Sequence, residues 1–177
     1  MRLAAYPPGK KGDITNMIRS YIVRCQKAGV TIKMNQEVTL DFIREEKPDS
    51  VIVASGSRTL ILPIEGIDNP AIIHGSDLLD GKRAAGKKVL VVGGGMVGCE
   101  TAAFLGEQNH DVTVIEFRDT VGADVIHEHR VYLMKDFEDY KIKEITGAKV
   151  CKFYEDGVEY ETADGQRHES RGYDSVI

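Results

Sequence analysis

Residues 88–92, KVLVV, form a continuous apolar run that leads directly into GGGMVG at residues 93–98. A short apolar run bounded by turn residues is typical of a strand that is buried on both faces of a parallel sheet. Residues 96–108 then show helical spacing, and residues 111–116, DVTVIE, form a second strand-like run. The order strand, glycine turn, helix and strand predicts a Rossmann-like βαβ unit.

The glycines of this turn have the spacing G-x-G-x-x-G, in which each glycine meets a separate steric demand. The first allows the tight turn, the second lets backbone approach a diphosphate, and the third allows the helix to pack closely on the strand. The amino end of the helix adds unpaired N–H groups and the positive end of its dipole. We therefore expect a dinucleotide diphosphate to bind at Gly93, Gly94, Gly95, Met96, Val97 and Gly98.

An acidic residue ends the second strand, as this fingerprint requires. Glu116 lies 18 residues after Gly98, where its carboxylate can accept hydrogen bonds from an adenosine ribose. The same charge repels a 2′-phosphate and favours NAD(H) over NADP(H). Arg118 is close enough in sequence to reverse that preference. FAD at this fingerprint, or a glycine turn without any ligand, are the alternatives.

The rest of the chain shows the pattern of an α/β protein with a parallel sheet, three layers and a small β-meander. Helical spacing covers residues 13–28, 39–46 and 130–137, and a loop is predicted at 119–129. Gly- and Pro-containing residues 56–86 resemble a crossover linker. We predict a partial FAD-binding lobe with linker at 1–80 and an NAD(P)-binding domain at 81–177. The predicted strands, besides 88–92 and 111–116, cover 30–34, 50–54, 141–145, 148–154, 158–162, 166–170 and 173–177.

Composition excludes several classes of function. The chain has 177 residues, 42% of them hydrophobic, and a formal net charge of -5, which argues against nucleic acid or an anionic membrane as partner. No apolar run approaches the roughly 20 residues of a membrane span. The three cysteines are far apart, which favours a reducing, cytoplasmic location.

A few other side chains could bind a metal, carry redox chemistry or contact a cofactor, but a structural role explains most of them. His127 and His129 flank Glu128, but two histidines without further ligands indicate a solvated loop, so no metal site is predicted. Cys99 lacks a second cysteine nearby and is expected to be a small packed residue instead of a redox thiol. Glu100, in the first helical turn, either complements the helix dipole or faces the cofactor.

Several segments resemble the 2,4-dienoyl-CoA reductase and NADH:flavin oxidoreductase family. The resemblance covers nearly the whole chain and rests on residues 3–10, LAAYPPGK, followed by GD at 12–13, on residues 49–57, DSVIVASGS, on the linker at 63–66, and on VLVVGGGMVGCE at 89–100. Ser55 stands where that family commonly has threonine.

The resemblance implies cofactors and roles that the spacing alone does not. It implies that Ala54, Ser55 and Gly56 lie against FAD and that Glu100 lies near the junction of nicotinamide and flavin. Family members also carry FMN on a barrel and a cysteine-bound iron–sulfur cluster, and they pass hydride from NAD(P)H to FAD and onward to an unsaturated substrate. The chain matches the central fragment only, so we expect a parent enzyme, no turnover or catalytic residue in the fragment, and weak FAD binding.

A second hypothesis is a stand-alone module that senses or binds NAD(H) without redox chemistry. It shares the fingerprint, but it does not require the flavin-facing segment 50–56. Under the first hypothesis the partners are the nicotinamide dinucleotide and the remainder of the flavoenzyme. An unpaired sheet edge can also template self-association, so a homodimer is among the expected partners.

Overall fold

The computed structural model describes residues 11–56 and 60–177. Two parts of the segments that carry the family resemblance, residues 3–10 and Ser57, lie outside the described residues. The chain divides into two compact units. The smaller unit is residues 16–60, and the larger unit contains residues 61–177. The elements are α1 (Lys11–Lys27), α2 (Leu40–Glu46), α3 (Gly75–Leu79), β1 (Lys88–Val92), α4 (Met96–Glu107), β2 (Asp111–Ile115), α5 (His127–Asp139), β3 (Lys143–Ile145), β4 (Lys149–Tyr154), β5 (Gly157–Glu161), β6 (Arg167–Ser170) and β7 (Ser175–Val176).

The larger unit contains a parallel sheet of four strands in the order β3-β2-β1-β7. Val89 of β1 lies opposite Val112 of β2 and Ser175 of β7, so all three strands share one direction. The antiparallel sheet β4-β5-β6 is formed by consecutive strands. The turn between β5 and β6 contains Gly165 with φ +78°, as the Asp164-Gly165 pair predicts. The predicted parallel sheet and β-meander are both confirmed.

Successive side chains of the buried strands pack on opposite faces of the parallel sheet, so the core consists of two clusters. Val89 and Val91 of β1, with Val112 and Val114 of β2, pack in one cluster with apolar residues of α4 and α5. Leu90, between those two valines, packs in the other cluster with residues of the meander. Since successive side chains of a strand point to opposite faces, the parallel sheet is the middle of three layers.

The segment after residue 60 packs with the larger unit. Ile72 and Ile73 are 7% and 4% exposed, and the backbone N–H of Ile73 donates to the carbonyl of Val176 at 2.9 Å. Leu78 and Leu79 of α3 are also buried. The sequence-based division places this segment with the first lobe up to residue 80, whereas the compact units divide between residues 60 and 61. The apolar side chains of the segment explain the difference, because they contribute to the core of the larger unit.

The smaller unit keeps its predicted helices but not its predicted strands. Gly29, at φ +70°, follows α1, and the Thr39 side chain accepts a hydrogen bond from the Phe42 N–H at the start of α2. Residues 30–34 and 50–54 form no strand. The expectation of a buried strand at 50–54 is wrong, because Ile52 and Val53 are 90% and 84% exposed. A parallel strand is buried and ordered by its neighbours, and the described residues of this unit provide no neighbouring strand.

Helix α5 begins earlier than the predicted start at Arg130. It starts at His127, and Ile126 stands at its N-cap. Polar residues 127–129 do not contribute to the apolar spacing by which the sequence locates the helix. His129 lies instead against α4, with Nε2 3.1 Å from Oε1 of Glu100. Within the described residues, no helix is both long and apolar enough to cross a membrane.

Leu90→Ala is expected to destabilise the larger unit by about 2–5 kcal/mol, because it leaves a cavity between the sheet and the meander. Leu90 is 0% exposed, whereas Leu62 of the same unit is 54% exposed and provides a matched control. Leu62→Ala should cost about 1 kcal/mol or less. Chemical denaturation of both variants measures the difference, and equal losses would contradict the two-cluster core.

Candidate dinucleotide-binding site

The glycine turn after β1 is held by a close approach between two backbone segments. Gly93 has φ +101°, in the left-handed region that favours glycine, and its N–H donates to the carbonyl of Ile115 at 2.8 Å. A Cβ atom placed on Gly98 would lie 1.8 Å from the Gly93 carbonyl oxygen. The first turn of α4 therefore packs directly on the turn, and any side chain at position 98 prevents this contact.

Gly95 leaves the start of α4 accessible. It is the N-cap residue of α4, with φ -73° and no side-chain cap. A Cβ atom at this position would have the Asp124 carboxyl group as its nearest neighbour, with Oδ2 at 3.2 Å. Since φ of Gly95 is ordinary, the requirement for glycine here is one of space and not of backbone conformation.

Glu116 lies at the carboxyl end of β2 and reaches back to the turn. Its Oε2 accepts a hydrogen bond from the Gly94 N–H at 2.6 Å, and its Oε1 accepts one from the Arg118 N–H at 2.8 Å. The carboxylate is thereby held beside the glycine turn. This is the position that the sequence predicts for the ribose-binding acid.

Asp124 is a component of the site that the sequence analysis missed. Its Oδ1 accepts a hydrogen bond from the Met96 N–H, the first backbone donor of α4, at 3.0 Å. Asp124 lies in the predicted loop between β2 and α5, where nothing in the spacing distinguishes it from Asp119. Only the folded loop, in which the Gly122 N–H donates to the Gly94 carbonyl at 2.6 Å, brings Asp124 to the turn.

A cavity of about 300 Å³ adjoins the turn on the side of Glu116. Both its acidic residues, Glu116 and Asp124, are bonded to turn or helix N–H groups, and Arg118 lies at its wall. The cavity thus presents a basic side chain and two carboxylates, and carboxylate oxygens can accept hydrogen bonds from the hydroxyl groups of a ribose. Its lining residues are Gly94, Gly95, Glu116, Phe117, Arg118, Thr120, Ala123 and Asp124.

The remaining fingerprint residues extend the surface along α4. Met96 and Val97 are 45% and 61% exposed at the start of the helix. Glu100, one turn further, is largely buried and contacts His129. Its carboxylate therefore has a specific partner on α5 and is more than a solvated charge near the helix dipole.

Cys99 is a packed residue. It is 0% exposed, its Sγ lies 3.1 Å from the Gly94 carbonyl oxygen, and burial raises the pKa of the thiol to about 12. A thiol with that pKa is protonated at neutral pH and is a poor redox nucleophile. Cys25, Cys99 and Cys151 are all free.

Other predicted positions lie away from this turn in the chain. Ala54, Ser55 and Gly56 belong to the smaller unit, where they are exposed and outside helices and strands, and Gly56 has φ +82°. Residues 16–56 contain no second glycine-rich turn of the kind that follows β1. Neither His127 nor any other described residue takes part in a group of three or more side chains that could hold a metal ion.

Comparisons with known proteins identify a family and several relatives. Residues 6–177 match the family model described as pyridine nucleotide-disulphide oxidoreductase. The chain is 31% identical over 166 residues to bilirubin reductase of Mediterraneibacter gnavus, covering 94% of this chain and 26% of that protein. It is 29% identical over 182 residues to NADH oxidase of Thermoanaerobacter brockii, covering 100% of this chain and 28% of that protein.

A solved structure shows the same architecture. The chain superposes on a complex of 2-naphthoyl-CoA reductase with 2-naphthoyl-CoA with a TM-score of 0.85 and 31% identity, covering 99% of this chain and 26% of that one. The chain therefore spans about a quarter of the length of the relatives it matches.

Gly98→Ala is expected to destabilise the larger unit by roughly 1–3 kcal/mol, because its methyl group would overlap the Gly93 carbonyl. Gly95→Ala is the matched control, since its methyl group meets only the movable end of Asp124. It should change the free energy of unfolding by less than about 1 kcal/mol. Thermal or urea denaturation of both variants is the measurement, and a stable Gly98→Ala would disprove the close approach.

Proposed function

Because the chain belongs to the pyridine nucleotide-disulphide oxidoreductase family, we propose that its larger unit binds NAD(H) and presents the nicotinamide for hydride transfer to a flavin. The observation that carries this proposal is the glycine turn, in which Gly98 has no room for a side chain against Gly93. In Rossmann-like units this close packing directs the amino end of the helix, with its backbone N–H groups, at the diphosphate. Residues 81–177 are proposed as the NAD(P)-binding domain, and residues 1–80 as a partial FAD-binding lobe with linker.

The site supports a specific placement of the cofactor. The diphosphate lies against residues 93–98, where the backbone N–H of Met96 points out of the start of α4. The adenosine ribose lies beside Glu116 in the cavity of about 300 Å³. Met96 and Val97 offer an exposed apolar surface at the start of α4. Glu100, held by His129, is proposed to lie near the nicotinamide.

NADH is the preferred form of the cofactor in this proposal. The carboxylate of Glu116 is fixed at the turn by two backbone N–H groups. A 2′-phosphate on the adenosine ribose would stand close to this negative charge, and like charges at short distance repel. Arg118 lines the same cavity and would attract a 2′-phosphate, so NADP(H) is the less favoured cofactor and not an excluded one.

We further propose that the whole protein is a flavin-dependent oxidoreductase of the 2,4-dienoyl-CoA reductase and NADH:flavin oxidoreductase type. The similarity to bilirubin reductase and 2-naphthoyl-CoA reductase, each about four times longer than the match, supports this. When bound, the nicotinamide supplies the hydride and the flavin accepts it. Ala54, Ser55 and Gly56 are proposed to face FAD. FMN, an iron–sulfur cluster and an unsaturated terminal substrate belong to the same proposal for the whole protein.

The role of this chain in that reaction is to bind and orient. No residue is proposed to form a covalent intermediate, since the described cysteine beside the turn, Cys99, is buried and protonated at neutral pH. The backbone of the turn and the carboxylate of Glu116 determine where the dinucleotide lies. The redox chemistry itself resides in the cofactors.

Gly95→Val is expected to weaken NADH binding by at least about 100-fold, because its methyl groups would fill the space in front of the turn. Isothermal titration calorimetry of the wild type and the variant measures the change, and circular dichroism checks that the variant is folded. Ala163→Val adds similar bulk at an exposed turn of the meander and should leave the affinity unchanged. Undiminished NADH affinity in a folded Gly95→Val protein would refute the proposed site.

Glu116→Gln is expected to reduce the preference for NADH over NADPH by about tenfold, equivalent to about 1.4 kcal/mol. The amide keeps an acceptor oxygen for the Gly94 N–H but removes the charge that repels a 2′-phosphate. Titrations with both cofactors give the ratio of dissociation constants. Glu107→Gln, at the other end of α4, removes an equal charge and should not alter the ratio. An unchanged ratio in Glu116→Gln would assign the discrimination to another residue.

A further inference from the structure

Two side-chain carboxylates satisfy the backbone donors of the glycine turn. Oε2 of Glu116 accepts from the Gly94 N–H at 2.6 Å, and Oδ1 of Asp124 accepts from the Met96 N–H at 3.0 Å. A dinucleotide diphosphate also brings negatively charged oxygens to these donors. Glu116 lies at the proposed ribose position, whereas Asp124 places a negative charge at the start of α4, where the ligand would place a phosphate.

The position of Asp124 is incompatible with a bound diphosphate. Both of its carboxylate oxygens lie close to the point where a Gly95 Cβ would stand, at 3.2 and 3.5 Å. That point is the space which the absence of a side chain at Gly95 leaves for the ligand. A phosphate in this space would be repelled by the carboxylate of Asp124, and the two would compete for the same Met96 N–H.

The loop that carries Asp124 is anchored on both sides of it. The Gly122 N–H donates to the Gly94 carbonyl at 2.6 Å, and Val121 is 0% exposed. After Asp124, the side chain of Val125 is 7% exposed in the core. The Asp124 side chain itself is exposed. Rotation of this side chain into solvent therefore clears the turn without any change in the loop backbone.

We infer that Asp124 is an internal competitor of the dinucleotide diphosphate, which occupies the start of α4 in the ligand-free protein and rotates away when NADH binds. This inference rests on the proposed function of the turn and adds a control of its affinity. The carboxylate stabilises the ligand-free state, because an acidic group at the amino end of a helix offsets the helix dipole and satisfies an N–H donor. NADH affinity is lowered to the same extent, since the ligand must displace this contact.

A binding series on the full chain tests the inference. Asp124→Ala should lower the dissociation constant of NADH by about tenfold. Asp124→Asn, which keeps an acceptor oxygen but no charge, should lower it by a smaller factor. Asp119→Asn removes a charge from the exposed part of the same loop and should leave the affinity unchanged. Calorimetry with NADH, ADP-ribose and adenosine separates the contributions, because adenosine carries no phosphate and should gain nothing from the Asp124 variants.

A second measurement distinguishes competition from a purely structural role. Asp124→Ala should lower the melting temperature of the ligand-free protein, because α4 loses its carboxylate, and yet bind NADH more tightly. A structural residue would show loss of both stability and affinity.

The outcomes separate this inference from the proposed function. If the wild type binds NADH and ADP-ribose but neither Asp124 variant binds them more tightly, the competition is refuted and the dinucleotide site stands. Equal gains with adenosine, or in Asp119→Asn, would also refute it. If neither the wild type nor Asp124→Ala binds NADH or ADP-ribose, the proposed function itself is refuted, together with this inference.

Discussion

The contact between Gly98 and the Gly93 carbonyl is the constraint on which the arrangement of the larger unit depends. With 1.8 Å between that oxygen and the position of a Cβ at residue 98, α4 approaches β1 more closely than any side chain would allow. This approach directs the amino end of α4 at the turn and presents backbone N–H groups there. The helix also buries Cys99, Ala102 and Ala103 against the sheet, which holds the approach in place.

The backbone N–H donors at this turn need hydrogen-bond acceptors, and the chain provides two carboxylates. Unpaired N–H groups at a helix start need a partner in a side chain, water or ligand. Glu116 and Asp124 provide two such partners in the described structure. The electrostatic preference of a helix start for negative charge, which suits a diphosphate, therefore also suits the acidic side chains of the protein.

The two compact units differ in how their apolar residues are used. In the larger unit, β1 and β2 have neighbouring strands on both sides, and their residues Leu90 and Val114 are fully buried. In the smaller unit, the apolar run at 50–54 has a strand-like composition, but Ile52 and Val53 are largely exposed. Local preference alone does not make a strand, because the ladder hydrogen bonds and the burial come from neighbours distant in sequence.

The amino-acid sequence by itself determined the parallel sheet, the meander and the glycine turn, because hydrophobic period and glycine spacing are local properties. It also located Glu116, since the length of one helix and one strand places this acid beside the turn. Tertiary structure alone decided the place of Asp124, the pairing of Glu100 with His129, the packing of residues 61–80 with the larger unit and the absence of strands at 30–34 and 50–54. Each of these depends on which segments meet in space, and a loop, a polar helix start or an isolated apolar run carries no periodic pattern that specifies its partner.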